Sequence, residues 1–312
     1  MSVPERPAQP ARGVLALFGP TGVGKTQVAL ELGDRLREAG ERPVALSADA
    51  LQVYAGLEIL TGAATAADRA RLEHRLISFL PVDATFSVAQ YAELAHAEID
   101  GLLDAGAQPI VVGGTGLYLR AALAELELRP RPPDEVRARW EEELATHGPA
   151  ALHERLTRRA AWAAERIDPG DRHRIVRAHA LLDLGELEPP EGPNRLWTAD
   201  TRRPTRLIGL VRERDELYAR IEARVDAMLA AGVVDEVRAA QAAGASETAR
   251  QALGFEELLA GDVEGMKRRT RNFAKRQLTW MRRLAGVELI DVTGRPAADV
   301  ARGILGAPPR AS

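Results

Sequence analysis

Gly19, Pro20, Thr21, Gly22, Val23, Gly24, Lys25 and Thr26 follow the spacing G-x-x-x-x-G-K-[ST], a pattern whose chemistry is the holding of a diphosphate. Its glycines let successive backbone N–H groups converge on phosphate oxygens at a helix N-terminus. Lys25 adds a point charge, and Thr26 offers a hydroxyl to a magnesium ion. Lysine is scarce in this chain: among 42 basic residues only Lys25, Lys267 and Lys275 are lysine, so the compact ammonium is kept where a forked guanidinium would fit badly. Two more polar residues stand at comparable places. Asp49 follows the apolar run Val44 to Ala48, where a carboxylate can hold magnesium, take a proton from an acceptor, or simply cap a helix. Thr115 follows Gly113 and Gly114, so its hydroxyl either completes a tight turn or reaches a diphosphate or acceptor.

Positioning these groups requires a sheet. Val14 to Phe18 reads as a strand and the pattern from Lys25 as a helix; Val44 to Ala48 reads as a second strand and Leu76 to Leu80 as a third. Ser87 caps a helix running through Ala95 to Leu103 with Gly106 as its stop, and Pro109 to Val112 is a fourth strand that breaks into Gly113-Gly114-Thr115-Gly116. Alternating strands and helices imply a parallel sheet, and ligands of such sheets collect at the carboxyl ends of strands. The loop at Gly19, Asp49 and Thr115 therefore share one rim. From about Pro130 to Trp197 the pattern turns charged and helical, opened by Pro130, Pro132 and Pro133 and closed by Pro189, Pro190 and Pro193. The sheet pattern resumes at Thr205 to Val211, helices come after it from about Asp215, and Val287 to Ile290 is a last strand. The expected architecture is an α/β fold, a P-loop NTPase-like parallel sheet flanked by helices with an inserted helical subdomain. The core covers 14–129 and 200–295, the insert 130–199, and the flexible termini 1–13 and 305–312. The fourth strand ends in two glycines rather than in Asp, unlike a standard motor or switch NTPase.

A chain of 312 residues that is 46% hydrophobic can bury a full core. The absence of cysteine excludes disulfides and thiolate metal sites. Met1 to Gly13 contains no apolar stretch of signal length, and no run approaches the ~20 apolar residues of a membrane helix. A monomer working in the cytoplasm, away from membranes, is the expected form. The formal charge of −3 predicts no global attraction to nucleic acid, yet the distribution is uneven. Met266 to Arg283 carries Lys267, Arg268, Arg269, Arg271, Lys275, Arg276, Arg282 and Arg283 with no acid. Phe273, Gln277, Trp280 and Leu284 recur at helical spacing and would bury the other side, leaving Arg268, Arg271 and Lys275 outward against RNA phosphates, or as a solvated face. A second basic group, Arg172, His173, Arg174 and Arg177, lies on a predicted helix of the insert. The histidines show no metal-ligand spacing; His173 and His179 read as solvated or polar packing residues.

The ordered set resembles the bacterial tRNA dimethylallyltransferases, also called tRNA isopentenyltransferases. Its elements are Gly-Pro-Thr opening the loop, Asp49 with Gln52-Val53-Tyr54, Gly113 to Tyr118, Asp171 through Arg177, Arg220 and Arg224 before Met228, Gly254-Phe255, and Arg276-Gln277-Leu278-Thr279-Trp280. The resemblance implies transfer of a dimethylallyl group from its diphosphate to N6 of adenosine 37 beside the tRNA anticodon. It implies that the loop holds the diphosphate with Mg²⁺, that Lys25, Thr26 and Arg224 neutralise the leaving group, and that Asp49 and Thr115 position or deprotonate the amine. It implies tRNA contacts at Asp49, Ala50, Leu51, Gln52, Thr115, Arg137, His173, Arg174, Ile175, Val176, Arg177, Arg250, Gln251, Ala252, Leu253, Gly254, Phe255, Lys275 and Gln277. The chain also departs from the family pattern. Ala50 stands where serine is usual, Leu60, Gly62, Ala63 and Ala64 replace Gly, Ala, Lys and Pro around Thr61, and Ala180 replaces a glutamate. The absence of lysine at Ala63 removes one expected ionic contact.

Two other readings use the same residues: a small-molecule or nucleoside kinase with the insert as lid, and a nucleotide-gated RNA-binding module. The basic helix disfavours the kinase, and the carboxylate beside the phosphate loop disfavours a pure binder.

Overall fold

A computed structural model describes residues 13–129, 131–189 and 195–306. Pro130, Pro190 and Pro193, which mark the insert in the sequence, lie outside the described residues, as do 1–12 and 307–312 of the termini. The chain divides into two compact units, Met1–Leu126 with Arg195–Ser312, and Glu127–Asn194.

The larger unit is built on a six-stranded sheet in the order β3-β2-β4-β1-β5-β6, every pairing parallel. Its strands are β1 (Val14–Phe18), β2 (Pro43–Ala48), β3 (Glu73–Arg75), β4 (Gln108–Gly113), β5 (Thr205–Val211) and β6 (Glu288–Asp291). The central strands are apolar without alternation because helices cover both faces; β2 is buried at every position. Register aligns Phe18 with Gly113 and Gly209, and Ala48 with Gly113. Gly19, Asp49 and Gly114 therefore leave the sheet side by side.

Leu76 to Leu80 is not the third strand. The pairing strand is Glu73–Arg75, and the chain then bends through left-handed residues at Leu76 (φ 57°) and Ser78 (φ 49°). The amides of Ser78, Phe79 and Leu80 donate to the carbonyls of Gln52 and Val53 instead. The apolar run thus covers the loop after β2 rather than lengthening an edge strand.

Helix α1 (Lys25–Glu38) begins directly after the glycine loop; α2 (Glu58–Thr61) and α3 (Ala66–Arg71) fill the β2–β3 connection. Helix α4 (Val88–Asp104) starts at Ser87, whose hydroxyl accepts from the Gln90 amide in a capping box, and α5 (Gly116–Leu123) comes after β4. After the insert come α9 (Arg214–Ala230), α10 (Val233–Ala242), α11 (Phe255–Leu259), α12 (Val263–Arg283) and α13 (Ala297–Gly306). One apolar cluster joins α1 and α13 to the sheet through Leu17, Ile110 and Ile208. A second, around Tyr54, Leu57, Val225, Phe255 and Met266, binds the loop after β2 to α9 and α12.

The smaller unit holds α6 (Asp134–Arg159), α7 (Ala161–Ala164) and α8 (Arg172–Asp183). Helix α6 is broken at Gly148, φ 76°, ahead of Pro149. Its core stacks Trp140 on His179 with ring centroids 4.1 Å apart, and Trp140 Nε1 donates to Asp183 at 2.7 Å. His179 is fully buried and accepts from Arg159 on one ring nitrogen while facing the Leu152 carbonyl with the other, so it packs and does not ligate. Ala180 is also fully buried, and a glutamate there would carry a charge into this core.

Candidate active site

The loop between β1 and α1 turns through left-handed glycines, Gly22 (φ 81°) and Gly24 (φ 107°), placing the first-turn amides of α1, which no helical carbonyl can satisfy, at the rim. Its outward carbonyls are held by guanidinium groups from the β5–α9 region. Arg220 Nε donates to Gly22 O at 2.9 Å, and Arg212 donates to Val23 O at 3.2 Å. Lys25 Nζ donates to Gly19 O at 2.9 Å and Pro20 O at 3.0 Å.

Gln277 of α12 fastens this loop to the end of β4. Its Oε1 accepts from Thr21 N at 2.9 Å and its Nε2 donates to Gly114 O at 2.7 Å. A side chain at position 114 would put Cβ 2.4 Å from Gln277 Nε2, and one at 116 would put it 2.2 Å from the Trp280 ring. The glycines around Thr115 thus exist for close approach by α12 as much as for the turn. We expect Gln277→Ala to lower stability by about 1–3 kcal/mol, the cost of leaving a buried partner unpaired, and to raise the donor KM. Thermal unfolding and donor titration check this; a variant matching the parent in both would show that the clamp is idle.

Asp49 sits past the end of β2 and begins no helix. Its Oδ1 accepts from Leu51 N at 2.9 Å, a local turn that fixes the carboxylate at the rim, so the capping alternative gives way to a turn. Two cations share its field, Lys25 and Arg224. Arg224 is half-buried and donates to Thr61 O at 3.2 Å; burial lowers its pKa and Asp49 opposes that. Gly62 makes the space: a Cβ there would lie 1.7 Å from the guanidinium. Gly62 also has φ 58°, and an alanine there would require the Arg224 guanidinium to shift, while Ala63 and Ala64 pack with Ile77 in a small apolar cluster. Burial, then Arg224, push the Lys25 ammonium down to about 8, with Asp49 opposing.

Gln52 supports the same corner. Its Oε1 accepts from Ser47 Oγ at 2.8 Å and its Nε2 reaches Gly62 O at 3.3 Å. Tyr91 donates to Ser47 O at 2.9 Å and lies 4.7 Å from the Tyr118 ring. Burial raises both phenols, and Asp49 adds to it, so they stay neutral beside the carboxylate. Thr115 occupies the N-cap of α5 without using its hydroxyl to cap. The α2 turn that presents Thr61 is held from α10, where Glu236 accepts from Ile59 N and Leu60 N at 2.8 Å each.

Several residues expected to touch RNA are core residues instead. Ile175 and Val176 pack inside the smaller unit, Ala252 and Phe255 lie inside the second apolar cluster of the larger one, and Gln277 is the buried clamp. Gly254 is buried too, with φ 96° and Met266 filling the space a side chain would need. Arg250 is half-buried over Phe255 and paired with Glu256 at 2.8 Å; Leu253 is half-buried and Gln251 exposed. In the smaller unit His173, Arg174 and Arg177 are exposed, Arg177 donating to Arg129 O, and Arg137 pairs with Glu141 at 3.4 Å. Ala50 and Leu51 are half-buried.

Helix α12 buries Met266, Thr270, Ala274, Gln277 and Met281, while Phe273 and Trp280 are only half-buried. Its cations divide into three sets. Lys267 pairs with Asp226 at 2.8 Å, Arg269 with Glu257 at 2.7 Å, and Arg271 with Glu222 at 2.7 Å. Arg276 covers Phe273 and Arg283 covers Trp197. Arg268, Lys275 and Arg282 are exposed and have no carboxylate partner among the described residues. Arg271 is thus removed from the outward set. Arg212 was missed by sequence reasoning, although it comes directly after β5 at the same rim as the loop.

A parallel α/β sheet with a glycine loop, a carboxylate and two half-buried cations on one rim defines a P-loop-type protein. The chain belongs to the IPP transferase family, whose sequence profile matches residues 52–284. Similar proteins include the tRNA dimethylallyltransferase of Kineococcus radiotolerans, 41% identical across 97% of this chain and 99% of that one. The enzyme of the same name from Thermobifida fusca is 44% identical over 86% of this chain and 87% of its own. Among solved structures, the tRNA isopentenylpyrophosphate transferase of Bacillus halodurans aligns with a TM-score of 0.66 at 32% identity, covering 95% of this chain and 96% of that one. A eukaryotic dimethylallyltransferase acting on tRNA shares the fold at TM-score 0.71 and 21% identity, over 96% of this chain and 81% of its own. The kinase and binding-module readings give way to this family.

Proposed function

We propose that the protein transfers a dimethylallyl group from dimethylallyl diphosphate to N6 of adenosine 37, next to the anticodon of tRNA, and releases diphosphate. The observation that carries the reading is the meeting of Asp49 with Lys25 and Arg224 on one rim. Attack by the adenine amine on the allylic carbon forms the C–N bond as the C–O bond breaks. Negative charge then grows on the diphosphate, which the loop amides, Lys25 and Arg224 stabilise. Asp49 accepts the N6 proton, and the Thr115 hydroxyl, not spent on capping, orients donor and acceptor. The base leaves its stack to reach them.

Thr26, in the first turn of α1, fits a magnesium ion bound mainly by diphosphate oxygens. When bound, it would help neutralise the leaving group. The RNA contacts in this reading fall on Asp49 to Gln52, Arg137, His173, Arg174, Arg177, Arg250, Gln251 and Lys275. No helix among the described residues is long and apolar enough to cross a membrane; a cytoplasmic monomer remains part of the proposal.

The test is incubation with labelled dimethylallyl diphosphate and bulk tRNA, then nuclease digestion and location of the label. Label absent from adenosine 37, or phosphoryl transfer from ATP in a parallel arm, would overturn the reading. The RNA footprint has its own measure. Arg268→Ala and Lys275→Ala should each weaken tRNA binding and reduce the salt slope by roughly 0.7 to 0.9, whereas Arg271→Ala, already paired with Glu222, should change the slope less. Turnover at saturating tRNA should survive in all three.

A further inference from the structure

Next to the glycine loop, a cavity of about 410 Å³ opens between the start of α9 and the outer face of α12. Four cations line it: Arg212 past the end of β5, Arg214 in the first turn of α9, and Lys275 and Arg282 two turns apart on α12. Among the described residues no carboxylate lines it. The nearby Glu216 is held away, ion-paired to Arg212 and accepting from Gly294 N at 3.0 Å. The floor is apolar, made by Leu217, Leu278 and the Tyr218 ring, with Arg214 5.3 Å from that ring's centre.

We propose that this cavity is a second anion site, separate from the glycine loop, that takes a nucleotide through its phosphate and its ring. Arg212 is already paired with Glu216, but Arg214, Lys275 and Arg282 have no carboxylate partner among the described residues, and like charges around one small cavity repel one another unless an anion sits among them. An inorganic ion would satisfy the charge and leave the apolar floor wet. A cavity of this size falls in the range of small-ligand pockets, roughly 300–1,000 Å³, and a heterocycle against Tyr218 and Leu278 fills what a phosphate alone does not. Phosphate and ring together are the chemistry of a nucleotide, free in solution or part of an RNA strand. Arg212 belongs both to this cavity and to the glycine loop, where it holds Val23 O, so an anion drawing on Arg212 acts on the loop from outside.

AMP is the probe, because a monophosphate lacks the β-phosphate for which the glycine loop is shaped. Isothermal titration of the full chain with AMP, without tRNA, should show one site. Its affinity should fall by more than about tenfold in Arg214→Glu/Arg282→Glu, a loss of about 1.4 kcal/mol, and stay within about twofold in Lys25→Ala. Arg282→Ala, a milder change at an exposed position, should weaken binding in the same direction. Displacement of bound AMP by tRNA would mark an RNA nucleotide as the source, and its absence a free one. No heat at millimolar AMP, or AMP binding lost in Lys25→Ala and kept in the double variant, would overturn the site. Because tRNA is not needed for the first measurement, this result stands apart from the prenyl-transfer reading.

Discussion

Asp49→Asn is expected to slow prenyl transfer by ~10²–10⁴-fold, the usual worth of a positioned proton acceptor, while tRNA affinity stays close to the parent's. The substitution is clean because the local role of the side chain survives: an asparagine oxygen can still accept from Leu51 N, the bond that sets the turn after β2. The negative charge alone disappears. Asp49 is also the group that opposes the fall of the Lys25 pKa, so the variant should lose the Lys25 proton at a lower pH than the parent. Single-turnover measurement with saturating donor and tRNA reads the chemical step directly. A rate within a few-fold of the parent's would leave Asp49 as a turn residue and nothing more.

Lys25→Ala should cost about 10²–10³-fold in transfer, the scale for removing one charged donor to a developing oxyanion, and should raise the donor KM as well. The pH behaviour makes this prediction specific. Burial and the neighbouring Arg224 bring Lys25 down to about 8, so the donor-free protein surrenders the proton as the pH climbs through about 8. A diphosphate favours the protonated form. Donor affinity of the parent should therefore hold below that point and decline above it, and Lys25→Ala should show no such inflection. Stability runs the other way. Unfolded Lys25 keeps its proton up to its ordinary value of 10.5 while folded Lys25 releases it near 8, so the unfolded chain binds more protons between the two. The group's destabilising contribution is full below about 8 and is relieved as pH rises towards 10.5. Donor titration and denaturant melts across that window check both signs; parallel curves for parent and variant would show that Lys25 does not meet the diphosphate.

The rim was legible because parallel strands announce themselves by short apolar runs, and the chemistry of such sheets gathers where those runs end. Val14 to Phe18, Val44 to Ala48 and Pro109 to Val112 each lie within an observed strand, and each run ends in a polar or glycine-rich break. Leu76 to Leu80 misled for a physical reason: an apolar run of strand length can equally cover a loop, and only the left-handed turns at Leu76 and Ser78 distinguish the two. Gln277 was expected to touch RNA only through the family resemblance. Helical spacing did put it on the buried side, yet spacing says nothing of the two backbone groups it would meet. Arg212 was invisible for the same kind of reason, since it acts on a backbone carbonyl more than a hundred positions away, and the contact between Gly62 and Arg224 could not be read from the departure at Gly62 alone.

The bond pair made by Gln277 reaches beyond packing. One amide joins the helix that presents Lys275 to the amide of Thr21 in the phosphate loop, with no mobile linker in between. A displacement of α12 therefore passes through one side chain to the phosphate loop, and a displacement of the loop returns along the same route. A substitution on the outer face of α12 that shifts the helix at Gln277 should therefore disturb the phosphate loop as well as the RNA face.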